Sequence, residues 1–360
     1  MVNKLLLKSI VSLLVSIGLL TTFIEPAKAA LPPGNAVKDP YEILRNALPM
    51  EQKELREIQH KLEDTNDSIR RNQWPSVSKA ISSAQFRVSN RKNEILSSIP
   101  SNQQSKAEKI LQNLKTSLNN LNELSNNKNK TKFIEEKSNS LQLIGSLEAL
   151  VLGNKFPYVI PEKFNDLPRL LGRATASINT NKGNMIAIID GYNAPLTAGA
   201  FVDLSLKGFY DGLPINRAEE FFVLQTGDPK GEATGYVDPN TNNERNVPLE
   251  IRVPNKADTI YNHTFEELGL YTETPTLPFS TPGALGWSHS GTSVADGSSQ
   301  FFFFLYDAEL NPAGRNLIDG NNAAFGYVVE GAEILNKLEV NDQILSIKIN
   351  DGADRLLTKE

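Results

Sequence analysis

The sequence has 360 residues, more than one average domain, a formal net charge of −5 at pH 7, no cysteine and three histidines. Without cysteine the chain has no disulfide, thiol nucleophile or thiolate metal site, so its stability rests on packed cores. No basic tract offers an electrostatic footprint for nucleic acid, and His60, His263 and His289 include no i, i+4 pair for a metal, so neither a nucleic-acid partner nor a metal or other cofactor is expected.

The chain opens with Lys4 and Lys8, an apolar run from Ile10 to Ile24, then Pro26 and Ala27-Lys28-Ala29. This pattern predicts a secretory signal peptide over residues 1–29, cleaved after Ala29. Its apolar run falls short of the ~20 residues an anchor helix needs to cross a bilayer.

Residues 38–155 carry helical periodicity. Leu55, Ile58, Leu62, Thr65 and Ile69 step by three and four, as do Val77, Ile81, Ala84, Val88 and Ile95, with Arg91 interrupting. Leu111, Leu114, Leu118, Leu121 and Leu124 form the cleanest stripe, followed after Asn126–Lys132 by Ile134, Leu141, Ile144 and Val151. Breaks at Pro75, Pro100 and the Asn-rich link predict four helices closing an antiparallel bundle, led by a short helix near Tyr41–Ala47. The stripes read as bundle core, with no facing Glu-x-x-His pairs for a metal.

Residues 156–172, with Pro157 and Pro161, read as a linker, and a domain of shorter elements spans 173–354. Met185–Ile189, Phe221–Gln225 and Phe301–Leu305 have strand length; Thr197–Leu206 reads as a helix closed by Gly208. Ile334, Leu335 and Leu338 suggest a second helix after Gly331, and Leu345, Ile347 and Ile349 alternate as a last strand. Residues 252–279 stand out as an insertion with a short helix over Asp258–Leu270, serving either as an edge of a groove or as a docking surface for the helical domain.

Three segments carry the chemical signal: GFYDGLPINRAEEFFVLQTGD over Gly208–Asp228, SSQFFFFL over Ser298–Leu305 and AAFGYVVEG over Ala323–Gly331. Together they resemble the core motifs of cyclophilins, the β-barrel peptidyl-prolyl isomerases. The resemblance implies an α+β multidomain chain, with a four-helix bundle followed by a closed β-barrel carrying two capping helices. It also implies that Arg217 is the donor to the prolyl nitrogen, that Phe222 is the pocket floor, and that Gln225 binds substrate backbone and orients the arginine. Ile215, Asn216, Val223, Ser288, His289, Ser290, Phe302, Leu317, Ile318 and Asn322 fall at positions that border the peptide. The family's usual Phe-His before the arginine is here Ile215-Asn216, its methionine is Val223, and its tryptophan, leucine and histidine further on are Leu317, Ile318 and Asn322.

An X-Pro bond isomerises slowly because its partial double-bond character is lost at the twisted transition state. Such catalysis needs a dry pocket, hydrogen bonds to the flanking peptide and a cation aimed at the prolyl nitrogen, which gains basicity on twisting. Two rival motifs are weaker. Gly286-Trp287-Ser288-His289-Ser290-Gly291 misplaces the last glycine of a hydrolase elbow, and Gly227-Asp228 lacks the lysine and helix of a phosphate loop. The order of signal, helical domain and divergent barrel is similar to the thylakoid-lumen cyclophilins of cyanobacteria and chloroplasts, which are associated with photosystem II assembly. That likeness implies a folding catalyst in the thylakoid lumen, with the periplasm as the alternative. Its partners would be proline-containing polypeptides, including lumenal loops of photosynthetic membrane proteins. The second function considered is a peptide-binding scaffold of low activity regulated by its helical domain; both expect contact between bundle and barrel.

Overall fold

The computed structural model describes residues 37–153, 156–239, 241–307 and 318–359. The signal-peptide expectation for residues 1–29 and the site position Leu317 lie outside the described residues.

The N-terminal region is helical: α1 Pro40–Asn46, α2 Lys53–Glu63, α3 Thr65–Arg70, α4 Trp74–Asn90, α5 Lys92–Ser97, α6 Gln104–Asn126 and α7 Lys130–Leu152. The first stripe is divided at Asp64, which keeps helical angles between α2 and α3, and the second at Arg91, the residue that already interrupts it in sequence, where φ −112° departs from the helix. The apolar faces meet in one core of Leu55, Ile58, Val77, Ile81, Leu118 and Ile144, with Trp74 edge-on to Phe133 at 5.9 Å. Helix α6 packs along α4 and α7, and α2 along α4 and α7. Helix α1 is different, because its apolar residues leave this core and join one built on the C-terminal domain.

The C-terminal domain contains β1 Arg169–Leu170, β2 Arg173–Thr180, β3 Gly183–Asp190, α8 Pro195–Leu206, β4 Arg217–Glu219, β5 Val223–Thr226, β6 Glu250–Ile251 and β7 Ile260–Tyr261. It continues with β8 Ala284–Trp287, β9 Phe301–Phe304, β10 Ala324–Glu330, β11 Ile344–Asp351 and β12 Leu356–Leu357. Eight strands form one antiparallel sheet in the order β11-β2-β3-β10-β8-β9-β5-β4. Its inner face packs on α8, which is buried on every side and therefore apolar all round. Phe201 of α8 meets Tyr210, Phe301 and Phe325 at 5.2 to 5.5 Å between ring centres.

The expected closed barrel is an open, half-barrel sheet. Its end strands β4 and β11 do not pair as a ladder. The seam is crossed by one bridge, Pro214 to Gln343, and by backbone bonds that join Gly212, Leu213 and Ile215 to residues 341–344. Pro214 has no N–H to donate, and β4 is three residues long, so a continuous ladder cannot form there. Of the two expected capping helices, the first begins at Pro195 and the second is a 3-10 helix, Ala332–Lys337. Gly331 leads into it at φ 77°, where a Cβ would lie 2.4 Å from the Asn184 carbonyl oxygen.

Three further expectations change. The supposed linker joins the domain: Phe164 and Leu170 lie in its core, and β1 pairs with β12. The insertion forms turns and the short strand β7 in place of a helix over Asp258–Leu270. Leu345 is 51% exposed, because a register shift between Ile344 and Ser346 re-aims β11 and buries Ile344 and Ile347.

Candidate active site

Strand pairing places the key residues in lateral rows. Arg217 of β4 stands opposite Gln225 of β5, Gln225 opposite Phe302 of β9, and Phe302 opposite Gly286 of β8. Paired residues share a face, so these four form one row on the outer side of the sheet. Phe301 and Phe303 point the other way, into the core with α8. A Cβ on Gly286 would sit 2.2 Å from the Phe302 ring, so the glycine is what lets that ring lie flat across the row.

Arg217 is half exposed. Its guanidinium bonds Glu219 Oε1 through Nε and Nη2, both at 2.7 Å, reaches Gln225 Oε1 at 3.4 Å, and lies 5.9 Å from the Phe222 ring centre. Gln225 donates to Gln300 Oε1 at 2.7 Å, and Gln300 donates to the Thr234 carbonyl at 2.7 Å. Gln300 was not singled out from the sequence, yet it lies two residues before Phe302, the spacing that returns a strand side chain to one face.

A polar groove of about 420 Å3 runs beside this row, lined by Gln225, Ser288, His289, Ser290 and Gln300 among others. The Ser288 N–H donates to the Gln300 carbonyl at 3.0 Å, and His289 sits with Nδ1 2.8 Å from the Ser290 carbonyl and Nε2 2.9 Å from that of Asn321. Asn216 is exposed, its Nδ2 3.5 Å from Gln300 Oε1. Asn322 turns its amide to the Trp287 carbonyl at 3.1 Å and lines a small inner cavity with Glu250 and Arg252. Ile318 packs at the margin of the apolar cluster around Phe302.

One assigned position is corrected. Ile215 is fully buried in the domain core and accepts from Asn341 N at 2.9 Å, so it supports the seam from inside and does not touch a groove ligand. Its apolar character fits that position, since any outward rotation would leave a hole beside the sheet.

The apolar end of the row is covered. Phe302 is 5% exposed and Val223 is buried; Phe279 of the insertion stacks on Phe302 at 5.7 Å with a 21° interplanar angle, and Leu277 packs beside it. Ile43, Leu44 and Ala47 of α1 complete the same cluster. Through Leu277 and Phe279 the insertion thus receives part of the helical region.

Helix α1 is held from both sides. Asn193 Nδ2 donates to the Ala47 carbonyl at 2.9 Å, Ser280 Oγ to the Val37 carbonyl at 2.6 Å, and Arg173, itself paired with Asp190 at 2.6 Å, to the Leu44 carbonyl. On the helical side Arg45 pairs with Glu63 at 2.9 Å, and Arg56 donates to the Arg45 carbonyl at 2.6 Å. Behind Arg56 lies buried Glu148, 3.6 Å away; burial pushes its carboxyl up to about 7, against the opposing pull of Arg56. Glu250 is also fully buried and caps α8 by accepting from Thr197 N at 2.6 Å; burial raises it to about 8 despite that bond.

The arrangement offers a cation held among a glutamine, an aromatic ring and a polar groove, with no nucleophile in the row. It can bind an extended peptide and present a guanidinium to a twisting amide. A family profile described as cyclophilin type peptidyl-prolyl cis-trans isomerase/CLD matches residues 175–351, and one described as peptidyl-prolyl cis-trans isomerase CYP38-like, PsbQ-like domain matches residues 39–152. The chain is 45% identical over 328 residues to the putative thylakoid lumen peptidyl-prolyl cis-trans isomerase sll0408 of Synechocystis sp., covering 91% of this chain and 86% of that protein. It is 34% identical to the chloroplastic isomerase CYP38 of Arabidopsis thaliana, covering 92% and 78% respectively. A crystal structure of a cyclophilin type isomerase from Cryptosporidium parvum aligns with 50% of this chain and 98% of its own, at 20% identity and a TM-score of 0.36. The two family profiles and the full-length relatives lead to one conclusion: the chain belongs to the cyclophilin-type peptidyl-prolyl cis-trans isomerases, within the group that carries a CYP38-like helical domain.

Proposed function

We propose that the chain isomerises X-Pro bonds of polypeptides in the thylakoid lumen, with Arg217 as the cation that stabilises the twisted amide. The observation that carries this reading is the guanidinium set between Gln225 and Phe222, on a strand next to the polar groove. In this mechanism Gln225, itself held by Gln300, binds substrate backbone and orients Arg217. Ser288, His289 and Ser290 border the extended peptide, and Phe222 and Phe302 form the proline pocket.

Helix α1 acts in this reading as a cover on the apolar end, so that clients must displace Ile43 and Leu44 to reach Phe302. The four longer helices α2, α4, α6 and α7 serve as an antiparallel four-helix bundle that anchors the cover. The proposed clients are proline-containing lumenal loops of photosynthetic membrane proteins during photosystem II assembly, by analogy with the lumenal and chloroplastic relatives.

A protease-coupled isomerisation assay on the mature chain tests this reading. Turnover that disappears in folded Arg217→Ala supports it, and turnover unaffected by that change removes Arg217 from the reaction.

A further inference from the structure

The incomplete seam has a shape of its own. Beyond the Pro214–Gln343 bridge, β4 and the turn after it diverge from residues 338–340 and leave a groove of about 830 Å3. Its walls include Leu224, Leu305 and Leu338, and two large side chains stand open to solvent on its rim, Phe221 at 51% and Val340 at 49% exposure. Scattered exposed apolar residues are ordinary; two on the lips of one groove mark a contact surface.

Among the described residues, the charged side chains that line this groove are carboxylates, Glu219, Glu220, Asp307 and Glu339. Tyr306, also on the wall, carries the ammonium of Lys38 at 5.3 Å from its ring centre, so this surface already holds one lysine from the chain itself. Strand β4 ends the sheet, paired only to β5, and a terminal strand is a natural support for an added extended segment.

We propose that the seam groove binds an extended peptide segment in which an apolar residue is flanked by lysine or arginine. The apolar side chain lies between Phe221 and Val340, and the flanking cations face Glu220 and Glu339. A second copy of this chain, with its net charge of −5, lacks that complementarity. The groove adjoins the strand that carries Arg217 and is separate from the Gln225–His289 groove, so binding here does not depend on turnover. A client held in the seam would be kept beside the arginine between catalytic encounters, which raises its local concentration.

Fluorescence polarisation with the full chain and a labelled proline-free peptide, Lys-Leu-Phe-Lys-Leu-Lys, tests the proposal. Saturable binding at roughly 100 µM or tighter in low salt is expected, weakening as salt rises. The double variant Glu220→Lys with Glu339→Lys should weaken it at least tenfold, by the order of two lost charge contacts. Phe221→Gly should weaken it about fivefold, and this change is safe for the fold because Phe221 stands at φ 60°, which glycine adopts freely. The charge-reversed peptide Glu-Leu-Phe-Glu-Leu-Glu should not bind. Absence of binding up to about 1 mM, equal binding by the seam variants, or equal binding of the charge-reversed peptide overturns the proposal.

Discussion

Glu219 Oε1 accepts from both Nε and Nη2 of Arg217 at 2.7 Å, two residues along the same strand and on the same face. The guanidinium is therefore occupied on one side before any substrate arrives, with Nη1 directed toward Gln225. Arg217→Ala is expected to lower kcat/KM for X-Pro peptides by at least tenfold, since a single preorganised donor is commonly worth about a hundredfold. Because the side chain is half exposed, circular dichroism and melting should be unchanged. Glu219→Gln is expected to raise kcat/KM a few fold, through KM more than kcat, because the pair is exposed and individually weak.

Release of α1 should uncover the apolar wall. Removing residues up to Phe156 takes Ile43 and Leu44 from Phe302, and peptide turnover should rise by about tenfold if the covered form predominates. Leu44→Asp in the full chain provides the same opening without truncation. Equal kcat/KM in all three proteins would show that the cover does not limit access.

Gly286→Ala probes the wall from beneath. Its Cβ would meet the Phe302 ring at 2.2 Å, with the ring already stacked against Phe279, so the ring must shift. A stability loss of about 1–3 kcal/mol is expected by chemical denaturation, together with weaker peptide binding. Unaltered stability and affinity would mean that Phe302 has another rotamer available at no cost.

Stability should fall as pH rises. Glu148 and Glu250 both have carboxyls raised by burial, to about 7 and about 8 from an ordinary value of 4.5. A raised carboxyl favours the protonated folded state, so its contribution is complete below pH 4.5 and is lost as pH climbs through the folded values. The melting temperature should thus drop by roughly 5 °C between pH 5 and pH 8.5, and Glu250→Gln should flatten that slope. A melting temperature that increases over this interval would reverse the assignment of these two groups.

Much of the site was legible because its residues lie close together in sequence. Arg217, Phe222 and Gln225 share one hairpin, and alternation along Phe301–Phe304 separates a core face from a pocket face. Gln300 could have been found by the same alternation. Other features depend on contacts between distant segments. Ile215 looks like a pocket neighbour beside Asn216 and Arg217, but the bonds to Asn341 and Asp342 across the seam turn it inward. The half-barrel follows from Pro214 meeting Gln343, more than a hundred residues away, and local pattern carries no trace of that pairing. The α1 stripe is too short to reveal which domain it serves; the apolar cluster with Phe279 and Phe302 and the bonds from Asn193 and Arg173 decide it.

Helix α1 lies N-terminal to the helical region it leads, yet its apolar face belongs to the C-terminal sheet. It therefore behaves as a ligand supplied by the chain itself, tethered through the intervening helices. Such a ligand acts at an effective concentration in the millimolar range and cannot be diluted away. On the proposed reading, a polypeptide approaching Phe302 would compete with that fixed local supply, so weak, transient encounters would be filtered out. On the proposed reading, a client tethered close to the chain would compete on equal terms.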